Sequence, residues 1–241
     1  VNASYEFSDY VNIPVDVYLT FNNGECYNGS IRVQYWDGSN WLPIESLPYQ
    51  VWNETYYEGT PYYKSLILTF YVNVSSPSTT YYIYYNDSAS GTVSFTPQIS
   101  LIRPTWTTYV FQSDLYNASA SSGSRGGKIE DSWNLLVDPD DHWGSAAYST
   151  TSFGHSGFQF TPDVFDSIDH STSETYAAEQ PSVIEEGPLF ITYTTLAYMG
   201  TPDDNFGTTK LTYRFFRWGW ICEANTTFNG EYTICLLYTS D

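Results

Sequence analysis

Apolar and polar positions alternate along most of this chain. Val11, Ile13, Val15, Val17, Leu19 and Phe21 are spaced by Asn12, Asp16 and Thr20, the period-two pattern of a strand with one dry and one wet face. Pro14 falls inside the run; lacking an N–H to give to a ladder, it places the early part at an edge or a bulge. Upstream, Val1, Ala3, Tyr5 and Phe7 alternate too, and Ser8-Asp9 separates them from the next run. Further strands are predicted over residues 31–36, 41–44, 66–74, 80–85, 105–111, 133–137 and 189–196, with turns at Asn22-Asn23-Gly24, Asp37-Gly38-Ser39-Asn40 and Ser75-Ser76-Pro77-Ser78. Residues 210–239 read as a hairpin turning at Asn229-Gly230, because a two-residue type I′ turn needs φ > 0 at both central residues. That register sets Phe228 opposite Glu231, Ala224 opposite Cys235 and Cys222 opposite Leu237, with Asn225 on the face away from both cysteines. Helical periodicity is not sustained beyond about ten residues anywhere.

The expected fold class is therefore all-β: an antiparallel β-sandwich, jelly-roll-like, as one large or two small domains. Residues 1–10 form a separate strand, 11–112 an N-terminal sandwich and 132–241 a C-terminal one. Residues 113–131, rich in Ser and Gly, read as a loop or linker between them. From 138 to 186 the pattern dissolves into polar sequence, a length of irregular chain that is usually functional or held by neighbours.

Charge narrows the partners. Eight Lys+Arg against 27 Asp+Glu give a net charge of −19. Nucleic acid is repelled, since its phosphates must be neutralised by cations, and an anionic membrane surface is disfavoured for the same reason. No apolar run is long enough to span a bilayer, so direct membrane insertion is not expected. The start at Val1, without a leader-like segment, fits a processed product.

The compartment is read from asparagines. Asn-x-Ser/Thr occurs at Asn2, Asn28, Asn53, Asn73, Asn86, Asn117 and Asn225, against roughly three expected by chance placement. Asn28 and Asn86 also suit ordinary turns, whereas Asn53, Asn73 and Asn225 lie in or beside strand-like runs. An extracellular, multiply N-glycosylated protein is expected, with covalent N-glycans in place of a cofactor. Cys26, Cys222 and Cys235 are an odd set allowing one bridge at most. Cys26 with either partner stays open; Cys222 and Cys235 as diagonal neighbours lie about 7–8 Å apart, too far without a bulge.

Candidate chemistry is sparse. Asp138, Asp140 and Asp141, the Asp163/Asp166/Asp169 series and Asp203-Asp204-Asn205 offer the oxygens that Ca²⁺ takes, yet such residues are equally ordinary in solvated turns. His142, His155 and His170 lack the spacing of a zinc site. Glu185 and Glu186 are adjacent and, in a strand, point to opposite faces, which denies them a shared acid/base role. Arg214 and Arg217 suit stacking on aromatics or pairing with surface acids. Trp36, Trp41, Trp52 and Tyr56 are candidates for a sugar-binding platform; the competing reading has them fill a core.

Two resemblances follow from particular motifs. Ser30-Ile31-Arg32-Val33, Tyr49-Gln50-Val51-Trp52-Asn53 and Tyr81-Tyr82-Ile83-Tyr84-Tyr85-Asn86, spread over residues 11–86, resemble β-sandwich modules of secreted archaeal and bacterial surface proteins. Gly187-Pro188 before a strand, followed by Thr212-Tyr213-Arg214-Phe215-Phe216, is similar to the super-sandwich sheets of galactose-mutarotase-like and polysaccharide-lyase proteins. The first likeness implies a module at a cell surface, and the second brings an enzyme under consideration; neither assigns a catalytic residue. The reading from sequence is a non-enzymatic structural subunit of an extracellular filament or surface layer, of the pilus or thread kind. Copies of itself are its partners, joined by donor-strand complementation with Val1, Ala3, Tyr5 and Phe7 in the donor segment. The alternative is a secreted β-sandwich that binds or degrades polysaccharide; a receptor-like or viral surface glycoprotein shares the same composition.

Overall fold

The computed structural model describes residues 10–36, 39–43, 46–74, 80–91, 93–102, 108–121, 129–134, 142–143, 181–200 and 205–230. Among the described residues there is no helix, and every sheet is antiparallel. The all-β, sandwich-like expectation is met. The donor segment with Val1, Ala3, Tyr5 and Phe7, the site at Asn2 and the acidic residues Asp138, Asp140 and Asp141 lie outside the described residues, as do Cys235, His155 and His170.

The chain divides into two compact units. Unit 1 is Val1–Pro97 with Gly187–Leu189; unit 2 is Gln98–Glu186 with Phe190–Asp241. In unit 1, β1 (Tyr10–Thr20), β5 (Tyr63–Val74) and β4 (Tyr49–Tyr56) form one sheet in the order β1-β5-β4. The other sheet runs β3 (Trp41–Leu42), β2 (Arg32–Trp36), β6 (Tyr81–Tyr84). Leu66, Leu68 and Phe70 take successive inward positions of β5 and meet Ile31, Val33, Phe21, Cys26 and Tyr63 in the core. Each fully buried leucine contributes about 2–3 kcal/mol by removal from water. The register of β1 on β5 shifts between Tyr10 and Ile13, where Asn12 has φ 60°. Pro14 follows directly, on an edge strand.

Gly187–Leu189 is part of unit 1 through close backbone contacts. The Leu189 amide donates to Gln50 Oε1 (3.1 Å) and Tyr71 Oη–H donates to the Leu189 carbonyl (3.1 Å). A Cβ on Gly187 would lie 2.3 Å from Gln50 Cδ, so only glycine lets the backbone approach so near.

Unit 2 packs a five-stranded sheet on a four-stranded one. The first is β11 (His142–Trp143), β10 (Ile129–Asn134), β9 (Tyr116–Ser121), β8 (Thr108–Gln112), β7 (Ser100–Ile102). The second is β12 (Ser182–Glu186), β13 (Phe190–Gly200), β14 (Asn205–Phe216), β15 (Gly219–Phe228). Phe111, Ala118, Ala120 and Ile129 face Ile191, Tyr193, Leu211, Tyr213 and Phe215, and the Phe111 and Phe215 rings stack at 3.7 Å.

Two expectations are corrected. The stretch 113–131 is not simply a linker: it holds β9, the middle strand of its sheet, and the start of β10. Its small residues concealed it, because Ala and Ser have low strand propensity, and the alanines are there to leave room for rings. The division between units falls at Pro97/Gln98 instead. The run from 210 to 228, expected as one arm of the C-terminal hairpin, holds a turn of its own. Phe216 pairs with Gly219, Lys210 with Asn225 and Tyr213 with Cys222, so residues 210–228 fold back at Arg217-Trp218. A single strand of that length would far exceed the usual five or six residues. The partner strand expected beyond Asn229-Gly230 lies outside the described residues.

Candidate functional site

The outward face of the sheet β3-β2-β6 is built by strand alternation. Val33 is fully buried, and Tyr35, Tyr81 and Ile83 turn inward with it, so Arg32, Gln34, Trp36, Tyr82 and Tyr84 must point outward. The cross-strand pairs agree: Trp36↔Trp41, Gln34↔Tyr82 and Arg32↔Tyr84. Four large rings are thereby left at the surface, with Trp36 43%, Trp41 39%, Tyr82 40% and Tyr84 41% exposed. They touch one another: Trp36 to Trp41 at 5.0 Å, and Trp41 edge-on to Tyr82 at 4.6 Å and to Tyr84 at 5.8 Å. Tyr82 and Tyr84 are 17° from parallel with centroids 6.3 Å apart.

Polar groups beneath the rings are engaged. Gln34 Nε2 donates to the Pro43 carbonyl at 2.9 Å. The Arg32 guanidinium donates to the carbonyls of Gly29 (2.9 Å), Ile31 (2.6 Å), Ser90 (3.3 Å) and Gly91 (2.6 Å). None of the six outward residues is a carboxylate, in a chain with 27 of them. Such a surface offers aromatic faces to apolar C–H groups and phenolic hydroxyls to polar ones.

Of the four aromatics proposed as a platform from sequence, Trp36 and Trp41 meet here. Trp52 and Tyr56 belong to β4 in the other sheet. The Trp52 indole N–H donates to Thr69 Oγ1 (2.9 Å), which donates on to Asp16 Oδ1 (2.6 Å); Tyr56 packs on Tyr63 at 5.0 Å. Sequence reading missed Tyr82 and Tyr84, whose signal is the inward Ile83 between them.

The sequon asparagines are placed unevenly. Asn28, Asn53, Asn73, Asn86 and Asn225 are exposed. Asn28 sits in a turn, and its Oδ1 accepts from Tyr63 Oη at 3.0 Å. Asn73 Oδ1 accepts the Asn12 amide at 2.8 Å. In both, the amide oxygen is the engaged atom, and a glycan attaches through the nitrogen. Asn53 takes φ 49° at the bulge between Trp52 and Thr55 on the edge strand β4. The Asn86 amide donates to Ser30 Oγ at 3.1 Å; Ser30, the hydroxyl residue of the Asn28 sequon, is 3% exposed. Asn225 stands on β15 opposite Lys210. Asn117 is different: it is 7% exposed in β9, between Gln112 and Trp133 in the ladder. Its side chain is thus enclosed where the other five described sequon asparagines face solvent.

The thiols do not join. Cys26 lies fully buried in the unit 1 core with Sγ 3.9 Å from Ser30 Oγ, and Cys222 packs against the unit 2 core; both are free. The Cys26–Cys222 alternative is therefore not realised. Burial pushes each thiol up to about 11, leaving both protonated and unreactive at neutral pH. Arg214 stacks over Phe190 (4.5 Å) and Phe216 (5.3 Å). Arg217 grips Asp114 with two bonds of 2.8 and 2.7 Å and holds its carboxyl below the usual range. Glu185 and Glu186 pair with Thr192 and Ile191 on β13 as consecutive strand residues. Among the described residues no group of three or more His, Cys, Asp or Glu is gathered as metal ligands, and no helix is long and apolar enough to cross a membrane.

No protein-family model matches the chain, and no curated protein or solved structure shows significant similarity to it.

Proposed function

We propose that the chain is a structural, non-enzymatic subunit of an extracellular surface assembly, a filament or surface layer, carrying N-linked sugars. The observation that carries this reading is where the sequons fall. Five of the six described sequon asparagines are exposed, and two of them, Asn53 and Asn225, stand on β4 and β15, which are edge strands among the described residues. An edge strand presents unpaired N–H and C=O groups to any passing chain, and a bulky hydrated glycan there prevents unwanted strand addition. The long strand β1, the other edge of the β4 sheet among the described residues, carries no sequon. Beyond Pro14 its outer edge suits addition of a neighbour's strand, and the alternating segment with Val1, Ala3, Tyr5 and Phe7 is the candidate donor. Negative-stain electron microscopy of the glycosylated protein, with mass before and after deglycosylation, tests the proposal. Regular filaments or sheets that are lost when residues 1–9 are deleted support it. Monodisperse particles at all concentrations, or a mass without glycan, refute it.

A further inference from the structure

We propose that the outward face of β3-β2-β6 is a binding site for a neutral polysaccharide, a function beyond the structural role above. Isolated surface aromatics need no explanation, but a contiguous exposed cluster does. Here Trp36, Trp41, Tyr82 and Tyr84 are each about two-fifths exposed and linked by ring contacts of 4.6 to 6.3 Å.

Three further observations choose the ligand. The first is charge. The chain carries −19 overall, yet among the described residues this face holds no carboxylate, and its cation there, Arg32, is spent on four backbone carbonyls. An acidic polymer meets a repulsive protein with no cation committed to it, whereas an uncharged one meets only rings and hydroxyls. The second is the protein's own sugar. Asn53 and Asn73 lie on β4 and β5 of the other sheet, and Asn28 and Asn86 in connecting turns, so no sequon stands on these strands' outward positions. The third is area. A Trp or Tyr side chain presents about 150–250 Å², so four rings at two-fifths exposure offer roughly 250–400 Å². A stable protein partner, a second copy included, needs about 800 Å² on each side. A few sugar rings, with C–H faces on the aromatics and hydroxyls against the Tyr82 and Tyr84 phenols, fit that smaller patch.

Affinity electrophoresis in native gels tests the site, using hydroxyethylcellulose, xylan and galactomannan as neutral polymers and polygalacturonate as the acidic one. The expected result is retardation by at least one neutral polymer and none by polygalacturonate. Trp41→Ala, with unchanged circular dichroism, weakens that association tenfold or more, and Tyr84→Ala weakens it in the same direction. Should Trp41→Ala fail to fold, Tyr84→Ala and Tyr82→Ala decide the matter. Absence of retardation by all three neutral polymers overturns the proposal. So does equal retardation by polygalacturonate, or binding that survives these substitutions. Concentration-dependent dimerisation abolished by Trp41→Ala, without polymer binding, assigns the face to a second copy and overturns it too. The assay is run on dispersed protein, so its outcome is independent of filament formation.

Discussion

Ser30 has two roles that one substitution can separate. Its hydroxyl completes the Asn28-Gly29-Ser30 sequon, and in the folded chain the same oxygen, 3% exposed, accepts the Asn86 amide at 3.1 Å. Ser30→Ala therefore removes the sequon and strands a part-buried N–H. Leaving a buried donor without its acceptor costs about 1–3 kcal/mol. Asn86 itself is at the surface, which puts the loss near the lower end, about 1–2 kcal/mol. In a domain of about 100 residues this corresponds to roughly 4–15 °C in Tm. The assay compares wild type and Ser30→Ala produced in a host that adds no N-glycans, by urea unfolding and by exchange of the Asn86 amide. Both sugar and sequon are then irrelevant, and the destabilisation and the faster exchange must persist. In a glycosylating host the variant additionally loses the mass of one glycan. Equal stability and equal exchange in the unglycosylated pair would refute the argument that Ser30 holds the Asn86 turn.

Four further outcomes are expected. Site-resolved mass spectrometry of the secreted protein finds glycan at Asn28, Asn53, Asn73, Asn86 and Asn225, and none at Asn117, whose 7% exposure leaves no exit; occupancy at Asn117 would show that β9 is not formed as described. Gly187→Ala drives a methyl to within 2.3 Å of the buried Gln50 side chain and costs about 1–3 kcal/mol by overpacking, read from the urea midpoint. Phe111→Ala, which deletes a fully buried ring stacked at 3.7 Å on Phe215, costs about 3–5 kcal/mol; a loss under 1 kcal/mol would contradict the unit 2 core. Cys26 and Cys222 are raised from 9.0 to about 11 by burial, so the folded state keeps protons that the unfolded state releases. Stability is then full below pH 9 and declines as pH rises toward 11, measured as a falling urea midpoint; a flat profile across that window opposes it.

Where alternation was strong, the fold was legible. The run from Val11 to Phe21 and the run Leu66, Leu68, Phe70 sort residues between two faces unambiguously, and both became long strands of one sheet. Legibility failed where a strand is made of small residues. Ala118 and Ala120 are fully buried because Phe111 and Tyr213 already occupy the interior around them, and nothing local reports that. It failed again at Arg217-Trp218, a turn without glycine or asparagine at its centre, which left residues 210–228 reading as one strand. The binding face was half visible. Trp36 and Trp41 flank a predicted turn and were natural partners, but Tyr82 and Tyr84 join them only through the pairing of β2 with β6, a contact between residues almost fifty positions apart.

The hairpin correction bears on function as well as on fold. Residues 231–239, which would return along β15 from a turn at Asn229-Gly230, lie outside the described residues. With the turn at Arg217-Trp218, β15 pairs with β14 and is the last strand of its sheet among the described residues, with Asn225 opposite Lys210. A glycan at Asn225 would then have a physical task, because an uncovered edge of ten residues is a template for strand addition. Asn53 stands in the same situation on β4, held outward by its own bulge. Two sequons thus fall on strands that are edges among the described residues, and none falls on β1 or on the aromatic face of β3-β2-β6. Moving a sequon onto that face, by Gln34→Asn with Trp36→Thr, would set a glycan among the rings. If the sugar-free face is a binding surface, the glycosylated variant loses polymer binding beyond the loss that Trp36→Thr itself causes in the same variant made without N-glycans, while the proposed assembly through β1 is unaffected.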